Sequence, residues 1–126
     1  MKIAVIVVGS HHNGKSRVIN EYLKPQLGLS LRQRIFQRKG KLGCILSQSF
    51  EESRSDGKDK IGRHSHFDLL VLAARPDSES PSQLLAIEKL LGKYKFQHHR
   101  VVMDGDRTVP SYCKRKAKEI LGHLDA

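Results

Sequence analysis

Short, almost entirely apolar runs alternate along the chain with segments whose apolar residues have helical spacing. The runs at 2–8, 67–74 and 100–103 are typical of strands that are buried on both faces of a sheet. Two further runs, at 34–37 and 42–46, flank a turn that contains glycine, and this arrangement predicts a β-hairpin.

Helical spacing follows each of the three buried runs and predicts helices at 15–24, 81–92 and 111–124, each with one apolar face. Pro25 disfavours a helical conformation of the residue before it. We therefore expect the first helix to end near Lys24.

Polar residues predict a loop and a helix start in the middle of the chain. The segment 51–66 contains Ile61 as its single aliphatic residue, and its Ser, Gly, His and charged residues are typical of a mobile loop. The second helix is predicted to begin at Ser80 and Pro81, because serine is a good N-cap residue and proline is favoured at the first helical position.

The predicted order of elements is β-α-β-β-β-α-β-α. Strands that alternate with helices are typical of an α/β fold with a mostly parallel sheet and flanking helices, and we expect the hairpin at or near an edge. The buried runs 2–8, 67–74 and 100–103 should be neighbouring parallel strands, because their connections are short. With 126 residues, we expect a single domain over 1–126.

The segment between the first predicted strand and helix reads Gly9-Ser10-His11-His12-Asn13-Gly14-Lys15-Ser16. It fits the pattern G-x-x-x-x-G-K-[ST] in full. Two glycines let the backbone curl so that successive N–H groups point inward. The loop leads into a helix N-terminus, whose unpaired N–H groups and dipole favour an anion. The segment therefore predicts a phosphate-binding loop.

This segment resembles the Walker A motif of the P-loop containing nucleoside triphosphate hydrolase superfamily, and the resemblance covers residues 2–24. It implies a three-layer α/β/α fold and the binding of ATP or GTP with Mg²⁺. It implies a catalytic role for Lys15 at the β- and γ-phosphates and a Mg²⁺ contact for the Ser16 hydroxyl. The phosphate-binding residues that it implies are Gly9, Ser10, His11, His12, Asn13, Gly14, Lys15, Ser16 and Arg17.

An acidic residue after an apolar strand is expected in this superfamily, where it holds Mg²⁺ through water. Asp104 has this local form and is the candidate second metal residue, although it follows the last strand. The alternative for Asp104 is a turn with Gly105 and Asp106. Glu51 or Glu52 could act instead from the loop. The guanine-reading pattern Asn-Lys-x-Asp has no match, so the base stays open.

An arginine could neutralise a phosphate during its transfer. The candidates are Arg54, Arg63, Arg75 and Arg107. Arg75 is the best placed of them, because it follows a core strand at the carboxyl edge, where ligands gather in open α/β sheets. Solvation at the surface is the ordinary alternative for each of these side chains.

The composition limits the other functions. The formal net charge is +10, which attracts phosphates, nucleotides or nucleic acid. Nucleic-acid binding is not favoured, because the predicted basic helix face (Lys114, Arg115, Lys116 and Lys118) has no aromatic residue interleaved with it.

Four histidines, His64, His66, His98 and His99, lack the spacing of a metal site. Cys44 and Cys113 are isolated, which is typical of reduced, cytoplasmic thiols, and no membrane segment is expected.

Three functions remain open from the sequence. The first is a small P-loop protein that binds ATP or GTP with Mg²⁺ and hydrolyses it or transfers its γ-phosphate. The second is a nucleotide- or phosphate-binding module without turnover. The third is a basic protein that binds nucleic acid.

Overall fold

A computed structural model describes residues 2–10, 14–47, 57–78 and 82–126. Helix α1 is continuous and has three segments, Lys15–Arg17, Val18–Leu23 and Lys24–Gln26. The other elements in chain order are β1 (Lys2–Val8), β2 (Ile35–Arg38), β3 (Lys41–Ile45), α2 (Gly57–His64), β4 (Leu69–Ala74), α3 (Leu84–Lys93), β5 (Phe96–Val102) and α4 (Pro110–Leu124).

The five strands form one sheet in the order β2-β3-β4-β1-β5. Strand β1 pairs in parallel with β4 and with β5, and β3 pairs in parallel with β4. Strand β2 is antiparallel to β3 and lies at an edge. The prediction of an α/β fold with a mostly parallel sheet, flanking helices and an edge hairpin is therefore confirmed.

Each face of the sheet supports its own apolar core, because successive side chains of a strand point to opposite faces. Ile3, Val5 and Val7 pack on one face with apolar residues of α1 and α4. Ala4 and Ile6 pack on the other face with apolar residues of α2 and α3. Strand β1 is thus buried on both sides, which is why its sequence is apolar without alternation.

The prediction of a loop over 51–66 is wrong for residues 57–64, which form helix α2; residues 51–56 lie outside the described residues. Ile61 is fully buried in the core between α2 and α3, and Arg63 pairs with Asp59 one turn earlier at 2.7 Å. Ile61 thus anchors a helix whose sequence has no apolar periodicity, and the exposed ion pair contributes little. The described elements therefore follow the order β-α-β-β-α-β-α-β-α.

Helix α1 extends two residues beyond its predicted end at Lys24. Its segment Val18–Leu23 has π-helical hydrogen bonds, and the Lys24 N–H accordingly donates to the Ile19 carbonyl, five residues back. Pro25 then lies in the first turn of the α-helical segment Lys24–Gln26, where its missing N–H costs little. The wider turns explain why proline did not end the helix.

Two other predicted boundaries are also wrong. Helix α3 begins at Leu84, whose N–H donates to the Ser82 hydroxyl oxygen at 3.3 Å, whereas Ser80 and Pro81 lie outside the described residues. Strand β5 begins at Phe96, four residues before the predicted strand at 100–103. Its polar start is tolerated because β5 is an edge strand, whose side chains are partly exposed.

No helix within the described parts of the chain is both long and apolar enough to cross a membrane.

Candidate functional site

The glycine-rich loop leaves the sheet at the carboxyl ends of three neighbouring strands. The Gly9 N–H donates to the Ala74 carbonyl at the end of β4, with a separation of 3.1 Å. The Met103 N–H donates to the Val8 carbonyl at 2.7 Å, just after the end of β5. These bonds fix the start of the loop at the edge where ligands gather in parallel sheets.

Gly14 is the N-cap of α1 and has a φ of 86°, a left-handed conformation that favours glycine. Its carbonyl accepts the first bond of the helix from the Val18 N–H at 3.0 Å. A Cβ atom at this position would lie 2.5 Å from the Cβ atom of Arg107. Both the backbone conformation and the close neighbour therefore require glycine here.

Lys15 is the first residue of α1 and is 4% exposed. Its ammonium group donates to the carbonyl oxygens of Gly9 and Ser10, the latter at 3.0 Å. The side chain therefore turns back over the start of the loop. This position is electrostatically unfavourable for a cation, because the helix dipole is positive at the N-terminus.

Ser16 and Arg17 complete the predicted site, and they differ in what they contact. Ser16 is exposed, and its hydroxyl oxygen accepts a hydrogen bond from the Asn20 amide at 3.1 Å. Arg17 pairs instead with Glu21 at 2.9 Å. A hydrogen bond with Tyr22 is the main cause that raises the Arg17 pKa. His11, His12 and Asn13 of the predicted loop lie outside the described residues.

Asp104, the predicted second metal residue, is exposed and is engaged by α4. Its carboxylate accepts a hydrogen bond from the Tyr112 hydroxyl at 3.2 Å and pairs with Lys116 at 3.5 Å. The Lys116 ammonium is the main cause that lowers the Asp104 pKa. The Gly105 N–H also donates to the Tyr112 hydroxyl oxygen, at 2.7 Å.

The residues after Gly105 form a well-bonded turn. The Asp106 carboxylate accepts hydrogen bonds from the main-chain N–H of Thr108 at 2.8 Å and from the Thr108 hydroxyl at 2.6 Å. The Val109 N–H donates to the Asp106 carbonyl at 3.1 Å. The bond with the Thr108 hydroxyl is the main cause that lowers the Asp106 pKa.

Arg107 is a candidate arginine that lies against Gly14 of the glycine-rich loop, whereas Arg54 lies outside the described residues. The Cβ and Cδ atoms of Arg107 lie 2.5 and 3.2 Å from the position that a Cβ atom of Gly14 would take. Its carbonyl accepts a hydrogen bond from the Cys113 thiol at 3.3 Å. The sequence pattern favours Arg75, which follows β4, over Arg107 and the other candidate arginines. The one signal for Arg107 was its place just after the last predicted strand.

Helix α4 does not present all four of its predicted basic residues to solvent. Lys114, Arg115 and Lys118 are exposed, whereas Lys116 is buried. Lys116 contacts Asp104 and also Glu119, at 3.3 Å. The prediction of a continuous basic face is therefore wrong at Lys116. Its position beside Cys113 and Ala117 turns its side chain toward the buried side of the helix.

The described ranges contain no group of three or more His, Cys, Asp or Glu residues that could hold a metal ion. His98 instead lies 3.4 Å from Glu88, and the rings of His99 and His123 stack at 4.4 Å. A metal at the glycine-rich loop would accordingly depend on ligands from a bound nucleotide in addition to a protein hydroxyl.

No protein-family model, curated protein or solved structure matches the chain.

Proposed function

We propose that the chain binds the phosphates of ATP or GTP at Gly9–Ser16, together with Mg²⁺, and hydrolyses the nucleotide or transfers its γ-phosphate. The observation that carries this proposal is the buried ammonium group of Lys15 at the N-terminus of α1. A phosphate at the same place would be stabilised by the ammonium group, the helix dipole and the unpaired N–H groups together.

The burial and the position of the Lys15 ammonium group both favour an anion beside it. The ammonium group is largely removed from water, and it lies at the positive end of the helix dipole, so both effects oppose its charge. The carbonyl oxygens of Gly9 and Ser10 compensate part of this cost. A bound anion would be attracted both by the ammonium group and by the positive end of the helix dipole. This supports a phosphate as the partner of Lys15.

The other residues of the site would act by position and charge. The exposed hydroxyl of Ser16 fits a Mg²⁺ ligand, and the ion, when bound with the nucleotide, neutralises phosphate charge. Gly14 allows the backbone and its N–H groups to approach the phosphates closely. The side chain of Arg107 runs alongside Gly14, which makes Arg107 a better candidate than Arg75 for a contact with phosphate.

Binding without turnover is the second candidate, and the surroundings of Asp104 favour it. Strand β4 is followed by Arg75, so no acid follows this neighbour of β1 directly. Asp104 follows β5, the other neighbour, but Lys116 and Tyr112 engage its carboxylate. In this form of the proposal the site holds a nucleotide but has no described residue that orients an attacking water.

Calorimetric titration of the full chain with Mg²⁺-ATP and Mg²⁺-GTP, followed by single-turnover hydrolysis, tests the proposal. We expect saturable binding of at least one nucleotide, weakened when EDTA removes Mg²⁺. Turnover would support the first form, and binding without turnover would support the second. The absence of saturable nucleotide binding, with retention on heparin that falls steeply with salt, would contradict both forms and favour nucleic-acid binding.

A further inference from the structure

A separate cleft of about 390 Å³ lies between the hairpin, the end of α2 and the start of β4. It shares no lining residue with Gly9–Ser16. Its floor includes Cys44 and Phe67, which belong to the core that α2 and α3 cover, whereas α1 packs on the opposite face of the sheet. The volume falls within the range of small-molecule sites.

The cleft lies where the burial of the sheet falls from β3 to the edge strand β2. Ile35 of β2 and Cys44 of β3 are paired across the hairpin, so their side chains point to the same face of the sheet. Cys44 is 3% exposed, whereas Ile35 is 58% exposed. The sheet thus presents an open apolar floor beside its edge, with room for a ligand above Ile35.

The ionisable groups around this floor are basic, apart from the Cys44 thiol. Arg34, Arg63, His64 and His66 line the cleft, and none of its described lining residues carries a carboxylate. Arg63 pairs with Asp59 outside the lining and is 72% exposed, so solvent screens that pair. The side chain of Arg34 has no carboxylate partner among residues 2–10, 14–47, 57–78 and 82–126.

The Arg34 guanidinium acts electrostatically on Lys24 and on Cys44. Burial is the main cause that lowers the Lys24 pKa, and the nearby Arg34 guanidinium lowers it further. Burial also raises the Cys44 pKa, and Arg34 opposes that shift. Arg34 is itself exposed, so its guanidinium is accessible to an anion that enters the cleft.

The third property of the cleft is a set of flat rings. The rings of His64 and Phe67 are stacked with centroids 6.0 Å apart, and those of His66 and Phe67 are 4.3 Å apart. The Nδ1 atom of His64 lies 2.7 Å from the Lys60 carbonyl oxygen, so Nδ1 carries the proton and this bond fixes the ring orientation. A planar ligand ring would find apolar and aromatic surface here.

We propose that this cleft binds a small organic anion in which a phosphate or carboxylate group is attached to a planar aromatic ring. Arg34 would hold the anionic group, because a guanidinium matches the geometry of both oxyanions. Ile35 and Phe67 would contact the ring. The proposal does not depend on nucleotide binding at Gly9–Ser16, because the two sites have no residue in common.

NMR titration of the full, ¹⁵N-labelled chain with phenyl phosphate, benzoate and inorganic phosphate tests this site. We expect saturable shifts of the Arg34, Ile35 and Cys44 amides with at least one aromatic anion. Inorganic phosphate should bind there at least about fivefold more weakly, because it has no ring to bury. The proposal also requires these shifts to persist in Lys15→Met, which separates them from any phosphate binding at the glycine-rich loop.

The matched variants are Arg34→Gln and Arg32→Gln, because Arg32 is exposed on the same segment but does not line the cleft. Arg34→Gln should weaken binding of the aromatic anion by about tenfold, and Arg32→Gln should leave it unchanged. An equal loss of affinity in both variants would mean that binding depends on the overall positive charge and not on Arg34, and it would overturn the proposed site. Unshifted amides, or inorganic phosphate that binds as tightly as phenyl phosphate, would overturn it as well.

Discussion

The two ends of helix α1 each bury a lysine, and the helix dipole acts on these two ammonium groups with opposite sign. Lys15 is 4% exposed at the first residue and Lys24 is 2% exposed in the last turn. The Lys24 ammonium donates to the Leu31 carbonyl at 2.7 Å, and the helix dipole is negative there. The dipole favours the charge of Lys24 but opposes that of Lys15, so an anion would be favoured at the Lys15 end and not at the Lys24 end.

The largest expected effect is a loss of nucleotide affinity when Lys15 is replaced and not when Lys24 is. Lys15→Met should weaken binding of Mg²⁺-nucleotide by at least about 100-fold, because it removes charge-assisted hydrogen bonds to phosphate. Lys24→Met should bind with unchanged affinity. Calorimetry measures both affinities, and denaturant unfolding should show that each variant stays folded, with a stability change of no more than about 3 kcal/mol.

Equal loss of affinity in the two variants would mean that any buried lysine of α1 affects nucleotide binding through the fold. The contrast between the two ends of the helix would then carry no functional information.

The second prediction compares the glycines that flank α1. Gly14 and Gly28 have φ values of 86° and 73°, so alanine is strained at both positions and should cost about 1–2 kcal/mol. A Cβ atom at Gly14 would also meet Arg107, whereas nothing lies within 4 Å of one at Gly28. Gly14→Ala should therefore lower the unfolding free energy by about 1–3 kcal/mol more than Gly28→Ala does.

Denaturant unfolding provides these values, and Arg107→Gly supplies the control because it removes the clashing side chain. The difference between the two alanine variants should shrink in that background. If it stays the same, Arg107 is not the cause of the extra cost at Gly14.

The third prediction concerns Ser16, with Ser30 as the matched exposed serine beyond the other end of α1. Ser16→Ala should weaken nucleotide binding by about tenfold in the presence of Mg²⁺, since it removes one ligand of the ion. Binding in EDTA should be unchanged. Ser30→Ala should have no effect under either condition. Calorimetry with and without Mg²⁺ makes the comparison, and an equal Ser16→Ala effect in EDTA would rule out a metal contact.

The smallest effect is a pH dependence that belongs to Lys24. Burial, with a contribution from Arg34, lowers the Lys24 pKa from its ordinary value of 10.5. The unfolded chain therefore binds more protons at this residue than the folded chain does, and stability rises with pH toward 10.5. The stability of the natural chain relative to Lys24→Met should increase over this alkaline range. A relative stability that falls instead would contradict the pKa direction.

The sequence predicts the strands that are continuously buried. It misses helix α2 and the start of β5, whose structure depends on tertiary contacts or on their position in the sheet. Strand β1 is apolar after Lys2 and β4 is apolar throughout, and these continuous apolar runs are sufficient to place them. Helix α2 is anchored by Ile61, its single apolar side chain, so its composition is indistinguishable from that of a loop. The polar start of β5 is visible only once its edge position is known.

The candidate site likewise contains residues that the sequence predicts and contacts that it does not. Gly14, Lys15 and Ser16 form a local pattern, so the sequence predicts them as a group. The contact of Arg107 with Gly14 joins residues that are distant in the chain, and no local pattern encodes it. The engagement of Asp104 by Lys116 and Tyr112 likewise depends on how α4 packs beside the end of β5.

The most direct measurement is a crystal structure of the chain with Mg²⁺ and a non-hydrolysable ATP analogue. The account predicts phosphate oxygens within about 3.2 Å of the Lys15 ammonium and of main-chain N–H groups between Gly14 and Ser16, with Mg²⁺ beside the Ser16 hydroxyl. Phosphates bound at any other surface, with Lys15 in contact only with the Gly9 and Ser10 carbonyl oxygens, would contradict it.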